Sequence, residues 1–140
     1  MIEECNKCSK KSYFVQKEKK SEFRIKNLSK VDINEVKVDG CLVIGHKRRC
    51  DWLYEITCRQ ITKIYYVELK GKNLQYALEQ ILETINLCEH QYKHNNYKRI
   101  ACVVLSTYPQ ENSAIQNKKR ELQRKNIELK TSTLKLEITV

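Results

Sequence analysis

At Gly71 the hydrophobic period of this chain changes, and that change limits the folds open to it. Upstream, Lys63 to Lys70 is an apolar run of strand character built on Ile64, Tyr65, Tyr66, Val67 and Leu69. Downstream, Leu74, Ala77, Leu78, Ile81, Leu82, Ile85 and Cys88 recur at steps of three and four, the spacing of one face of a helix over about 74–92. Residues 99–106 (Arg-Ile-Ala-Cys-Val-Val-Leu-Ser) then form an unbroken apolar run bounded by polar residues, as expected of a strand buried on both sides.

The flanks extend this core. Val36 and Val38 alternate with Lys37 and Asp39, and the run continues through Cys41-Leu42-Val43-Ile44, with Gly40 as a bulge or close-approach point. A basic turn over 45–49 leads into a strand from Cys50 to Thr57, in which Asp51, Leu53 and Glu55 share one face and Trp52, Tyr54 and Ile56 the other. With a turn at 58–62, these strands and 63–70 form an antiparallel meander. Asn112 can cap a second, basic helix running to about Lys125, and 127–129 and 134–140 close the chain as short strands. The first thirty residues are crowded with lysines; a helix over about 12–25 would turn Phe14 and Phe23 inward. The order predicts an α/β fold with a mixed central sheet flanked by helices.

A chain of 140 residues suits a single domain over 1–140, with a basic segment at 1–30 and a core at 35–106. Lys and Arg exceed Asp and Glu by 27 to 17, a formal net charge of +10, which favours a polyanionic partner, nucleic acid first. No run of 18 apolar residues and no signal-like N-terminus is present, so a cytoplasmic protein without membrane partners is expected. Seven cysteines are an odd number, several inside apolar runs, and read as reduced packing residues rather than a disulfide framework. Cys5-x-x-Cys8 lacks the second close Cys/His pair of a zinc site, and His90 and His94, one helical turn apart, lack a third ligand.

In an extended strand Glu68 and Lys70 point the same way, their Cα atoms roughly 7 Å apart. Asp51, on the preceding strand, could bring its carboxylate to the same place if the hairpin register sets it opposite or diagonal to Glu68. Phosphodiester cleavage needs the phosphate charge neutralised and a water made nucleophilic, and Mg²⁺ held by one or two carboxylates supplies both. Lys70 could then orient the water or answer developing charge. Glu-x-Lys alone is a weak motif, because charged residues alternate on many solvated strand faces.

An Asp opening one strand, followed in the next by Glu-x-Lys after an apolar run and then by a helix, resembles the PD-(D/E)xK nuclease superfamily. The resemblance spans about 36–106 and implies a restriction-endonuclease-like αβββαβ core. It implies a Mg²⁺- or Mn²⁺-dependent nuclease acting on DNA in defence, repair or recombination, with Asp51, Glu68 and the Leu69 carbonyl on the metal, Lys70 assisting the nucleophile and Gln80 on the following helix pointing back at the site. Cys50 replaces the family's Pro. Asp39 is a further candidate acid, and Glu18 and Glu22 are the choices for an acid some members carry on the first helix. Lys47, Arg48, Arg49 and Lys72 are candidate phosphate contacts. A homodimer or partner protein would complete the substrate grip. The alternative is a catalytically inactive nuclease-fold module that binds nucleic acid or a partner protein, and a third is a zinc-stapled basic adaptor through Cys5 and Cys8.

Overall fold

The computed structural model describes residues 5–41, 50–57, 60–69, 73–92 and 97–140, with the side chains of residues 90 and 91 excepted. Nine strands and two helices follow one another as β1 (Asn6–Ser9), β2 (Tyr13–Glu18), β3 (Ser21–Lys26), β4 (Ile33–Lys37), β5 (Trp52–Ile56), β6 (Lys63–Leu69), α1 (Leu74–Cys88), β7 (Lys98–Leu105), α2 (Ser113–Arg124), β8 (Ile127–Thr133) and β9 (Lys135–Thr139) among the described residues. A 3-10 turn over Glu89–Tyr92 extends α1 to the predicted end of the helix.

A six-stranded mixed sheet runs in the order β1-β4-β5-β6-β7-β8. The meander β4-β5-β6 is antiparallel, with Val36 opposite Leu53 and Leu53 opposite Tyr66. Strands β7 and β8 join in parallel, because α1 and α2 carry the chain back across the sheet before each one. Strand β7 therefore has a neighbour on both edges and cover on both faces, and Ile100 to Leu105 are all buried. That is the physical reason for its unbroken apolar run.

The faces of the sheet are covered differently. Leu53, Ile64, Tyr66, Ala101 and Val103 pack with Leu74, Leu78, Ile81 and Ile85 of α1 and Ile115 and Leu122 of α2. Their alternates Tyr54, Ile56, Tyr65, Val67, Ile100, Cys102 and Val104 pack with Phe14, Phe23, Ile25 and Ile138. Those last four lie on a second, three-stranded sheet in the order β2-β3-β9, with β9 parallel to β3. Both helices thus lie on one face, and a small sheet replaces the expected helix on the other.

The helix expected over 12–25 is a correction. These residues form the β2-β3 hairpin, with Phe14 opposite Ile25 and Gln16 opposite Phe23. Phe14 and Phe23 do face inward, both fully buried, but a helix could not have turned them the same way. At about 100° per residue, nine steps leave two side chains half a turn apart. Ser21, Phe23 and Ile25 are buried in alternation with more exposed Glu22, Arg24 and Lys26, which is the strand period. Lys19, at φ 53°, takes the left-handed turn between the strands.

The first strand of the meander also ends sooner than the apolar run suggests. The Val38 and Asp39 N–H groups both donate to the Asp51 carbonyl, at 3.1 and 3.3 Å, so two residues oppose one as in a bulge. Gly40 follows at φ 78°, where a side chain would strain the backbone. Residues 42–44 and the basic turn 45–49 lie outside the described residues.

The cysteines divide into two groups. Cys50, Cys88 and Cys102 are free and buried, as packing residues should be. Cys5 and Cys41 instead form a disulfide, with Cα atoms 5.7 Å apart, and Cys8 is also disulfide-bonded. The expectation of wholly reduced cysteines is therefore wrong. Pairing of β1 with β4, which brings Asn6 opposite Val36, carries Cys5 to the end of β4, and the turn at Gly40 returns Cys41 to it. Nothing in the spacing of these residues announces that pairing. With Cys5 and Cys8 both in disulfides, the zinc-stapled reading loses its ligands. Among the described residues, no helix is long and apolar enough to cross a membrane.

Candidate functional site

The C-terminal ends of β6 and β7 and the start of β5 meet beneath α1, and the candidate residues that the structure describes gather there. Trp52 opposes Val67 in the β5-β6 register, so Asp51 stands just beyond the paired part of β5. Its backbone N–H donates to the Val67 carbonyl at 3.1 Å. Its carboxylate Oδ2 accepts the Leu69 N–H at 3.0 Å, taking the place a backbone carbonyl would hold if β5 continued. Asp51 thus lies against the peptide that joins Glu68 to Leu69. Within a strand the N–H and C=O of one residue leave the same edge, so the Leu69 carbonyl is directed toward Asp51 as well.

Glu68 is fully buried, on the face shared with Tyr66 and Ile64, beneath α1. Burying a carboxylate is costly unless its charge is answered. Helix α1 begins with the Asn73 side chain accepting the Tyr76 N–H at 2.9 Å. It presents Gln80 and Thr84, one turn apart and both buried, on its inward side. Thr84 Oγ1 accepts the Cys50 N–H at 2.7 Å and donates to the Gln80 carbonyl at 2.9 Å. The helix is thereby tied to the residue immediately before Asp51.

Cys50 reports the electrostatics of this corner. Burial pushes its thiol well above the usual range, and the negative charges of Glu68 and Asp51 add to the effect. Both carboxylates therefore act on one buried group, and Cys50 is no nucleophile at neutral pH. Its Sγ donates instead to the Trp52 carbonyl at 3.4 Å.

Of the predicted residues, the structure brings together Asp51, Glu68, Leu69 and the helix position of Gln80. Asp39 lies at the bulge whose N–H groups bind the Asp51 carbonyl, at the margin of the site. Lys70, Lys47, Arg48, Arg49, Lys72 and His94 lie outside the described residues. Glu18 and Glu22 are excluded from the site, because they sit on the β2-β3 hairpin across the sheet from α1. Glu22 is engaged there by Lys17 at 3.3 Å and by Arg24 and Lys135 at 3.6 Å. Among the described residues, no group of three or more His, Cys, Asp or Glu could hold a metal ion. The donors at this corner, two carboxylates and a backbone carbonyl, are all hard oxygens, the set that suits Mg²⁺ or Mn²⁺ rather than a thiolate or imidazole metal. Thr84 and Cys50 escaped the sequence reading as positioning residues; the only signal was a Thr within the apolar stripe of α1.

No protein-family model, no curated protein and no solved structure matches this chain.

Proposed function

We propose that the chain is a metal-dependent nuclease of restriction-endonuclease-like type that hydrolyses phosphodiester bonds in DNA. The observation that carries this reading is the hydrogen bond from the Leu69 N–H to the Asp51 carboxylate, which joins the Asp of one strand to the Glu-x-Lys segment of the next. Asp51, Glu68 and the Leu69 carbonyl would hold Mg²⁺ or Mn²⁺, which when bound neutralises phosphate charge and lowers the pKa of a water. Asp51 and Glu68 fix the position of that charge from two adjacent strands, Gln80 supports it from α1, and Lys70 assists the attacking water. The net charge of +10 suits a phosphate backbone. A homodimer or a partner protein would complete the grip on the substrate, and the Cys5–Cys41 disulfide weighs against the reducing cytoplasm expected from the sequence.

One observation favours a second reading. The helix that opens the αβββαβ core is replaced by strands β1, β2 and β3, so this chain departs from that core before the meander begins. A nuclease-fold module that binds nucleic acid or a partner protein without cleaving it accommodates such a departure.

Cleavage of plasmid, linear and branched DNA and of RNA, with Mg²⁺ or Mn²⁺, decides between them. Wild type should cut, and Asp51→Asn, Glu68→Gln and Lys70→Ala should each lower the rate by at least about a hundredfold, the usual scale for removing an electrostatic or acid–base participant. A wild type that binds DNA without cutting it supports the second reading, and cleavage that survives all three changes refutes the first.

A further inference from the structure

We propose that the cleft between the two sheets, on the face opposite Asp51 and Glu68, binds a phosphate monoester through Lys63, Lys98 and Tyr65. The cleft has a volume of about 300 Å³ and lies between the N-terminal ends of β6 and β7, the first half of β8, and β9. That size is at the low end for ligand pockets and suits a phosphorylated molecule no larger than a nucleotide.

Three lysines, Lys63, Lys98 and Lys130, and two glutamates, Glu128 and Glu137, line the cleft, which leaves an excess of positive charge. Lys63 and Lys98 are register partners on the parallel pair β6-β7, side by side on one face. Neighbouring strands are about 4.8 Å apart, so two ammonium groups start from nearly the same place. Like charges facing each other across strands cost stability. Neither lysine has a carboxylate within ion-pair distance among the described residues. The third lysine, Lys130 on β8, is already engaged by Glu128 at 3.7 Å. Glu137 and Thr139 reach the cleft from β9 on the far wall. A dianion placed over Lys63 and Lys98 would convert their repulsion into a clamp, and a phosphate monoester carries about −1.5 to −2 at neutral pH.

Tyr65 supplies a neutral donor. Its ring is buried between the sheets, and its hydroxyl makes no hydrogen bond to another described residue. Burial, with Cys102 and Glu128 nearby, pushes its pKa to about 12, so the hydroxyl keeps its proton at physiological pH and can donate to a phosphate oxygen. Lys63 and Glu68 are five residues apart on one strand, roughly 17 Å, with side chains on opposite faces. The cleft is a separate site from the carboxylate corner and does not depend on the nuclease reading.

The test is a backbone amide chemical-shift titration of metal-free protein with inorganic phosphate, with AMP, and with a short oligodeoxynucleotide carrying either a 5′-phosphate or a 5′-hydroxyl. The amides of Lys63, Tyr65, Lys98 and Ile100 should shift saturably with phosphate. Lys63→Gln/Lys98→Gln should weaken binding by at least about tenfold, the single change Lys98→Gln by less, and Arg120→Gln/Arg124→Gln on α2 should leave it intact. Binding of the 5′-phosphorylated strand well above AMP and the 5′-hydroxyl strand would identify a nucleic-acid end as the source. Equal binding of AMP and phosphate would identify a free small molecule. No saturable shift at these amides with millimolar phosphate or AMP, or equal binding by the lysine variants, overturns the proposal.

Discussion

Thr84→Val tests whether α1 holds the carboxylate corner in place. Thr84 is fully buried, and its hydroxyl accepts the buried Cys50 N–H at 2.7 Å. Valine has nearly the same shape but no acceptor, so that N–H is left unsatisfied at a cost of about 1–3 kcal/mol. The other bond lost, to the Gln80 carbonyl, is a back-bond within the helix and contributes little. The apolar gain of the added methyl offsets part of the penalty, so a net loss of about 1–2 kcal/mol is expected. At this chain length that lowers Tm by about 3–7 °C. Thr84→Ser also loses stability, about 1 kcal/mol for the missing methyl, so stability alone does not separate the two. Amide hydrogen exchange does. In Thr84→Val the Cys50 amide should exchange about 5–30 times faster, and the Leu69 amide should follow, because its acceptor is the side chain of the next residue, Asp51. In Thr84→Ser both should stay protected. Unchanged protection at Cys50 in the valine variant would show that the helix does not position the corner.

Two further outcomes follow from the cysteines. The Cys5–Cys41 disulfide spans 36 residues, for which loop closure in the unfolded chain corresponds to about 4 kcal/mol, so Cys5→Ser/Cys41→Ser should lose stability on that scale in urea denaturation, and an unchanged midpoint would contradict the pairing. Cys50, Cys88 and Cys102 should resist alkylation in the native protein at pH 8, read by peptide mapping; burial, with Glu55 nearby, raises Cys88 to about 11, so its thiolate should emerge only as pH approaches that value, and rapid labelling at pH 8 would refute the assignment.

Elements whose signal is local were legible from the amino acids alone. The stripe of α1, the Asn112 cap that accepts the Ile115 N–H at 2.9 Å, and the meander each depend on residues a few positions apart. The neighbouring strands that carry Asp51 and Glu68 were legible too, but their register was left open, and the hydrogen bond from the Leu69 N–H to the Asp51 carboxylate was not foreseen. What stayed hidden depends on distant partners. Apolar residues are thin around Phe14 and Phe23, so the segment shows little period of its own, and the surface that fixes both inward is Tyr54, at ring-centroid distances of 6.0 and 5.7 Å. The disulfide required the β1-β4 pairing, and the cleft required β9 to return beside β3. In each case tertiary contact overrode a weak local preference.

The hairpin in place of a helix also bears on function, because it makes the two ends of β6 chemically different. At the C-terminal end Glu68 is buried beneath α1, with Asp51 bonded to the next peptide. At the N-terminal end Lys63 lies beside Lys98, under the edge of the sheet formed by β2, β3 and β9. One strand therefore carries an acidic corner suited to a cation at one end and a basic cleft suited to an anion at the other. Opposite charges about 17 Å apart and on opposite faces contribute little to each other's energy at physiological salt, where the screening length is about 8 Å. Neither arrangement is explained by the other, so the metal reading of one end and the phosphate reading of the other stand or fall separately.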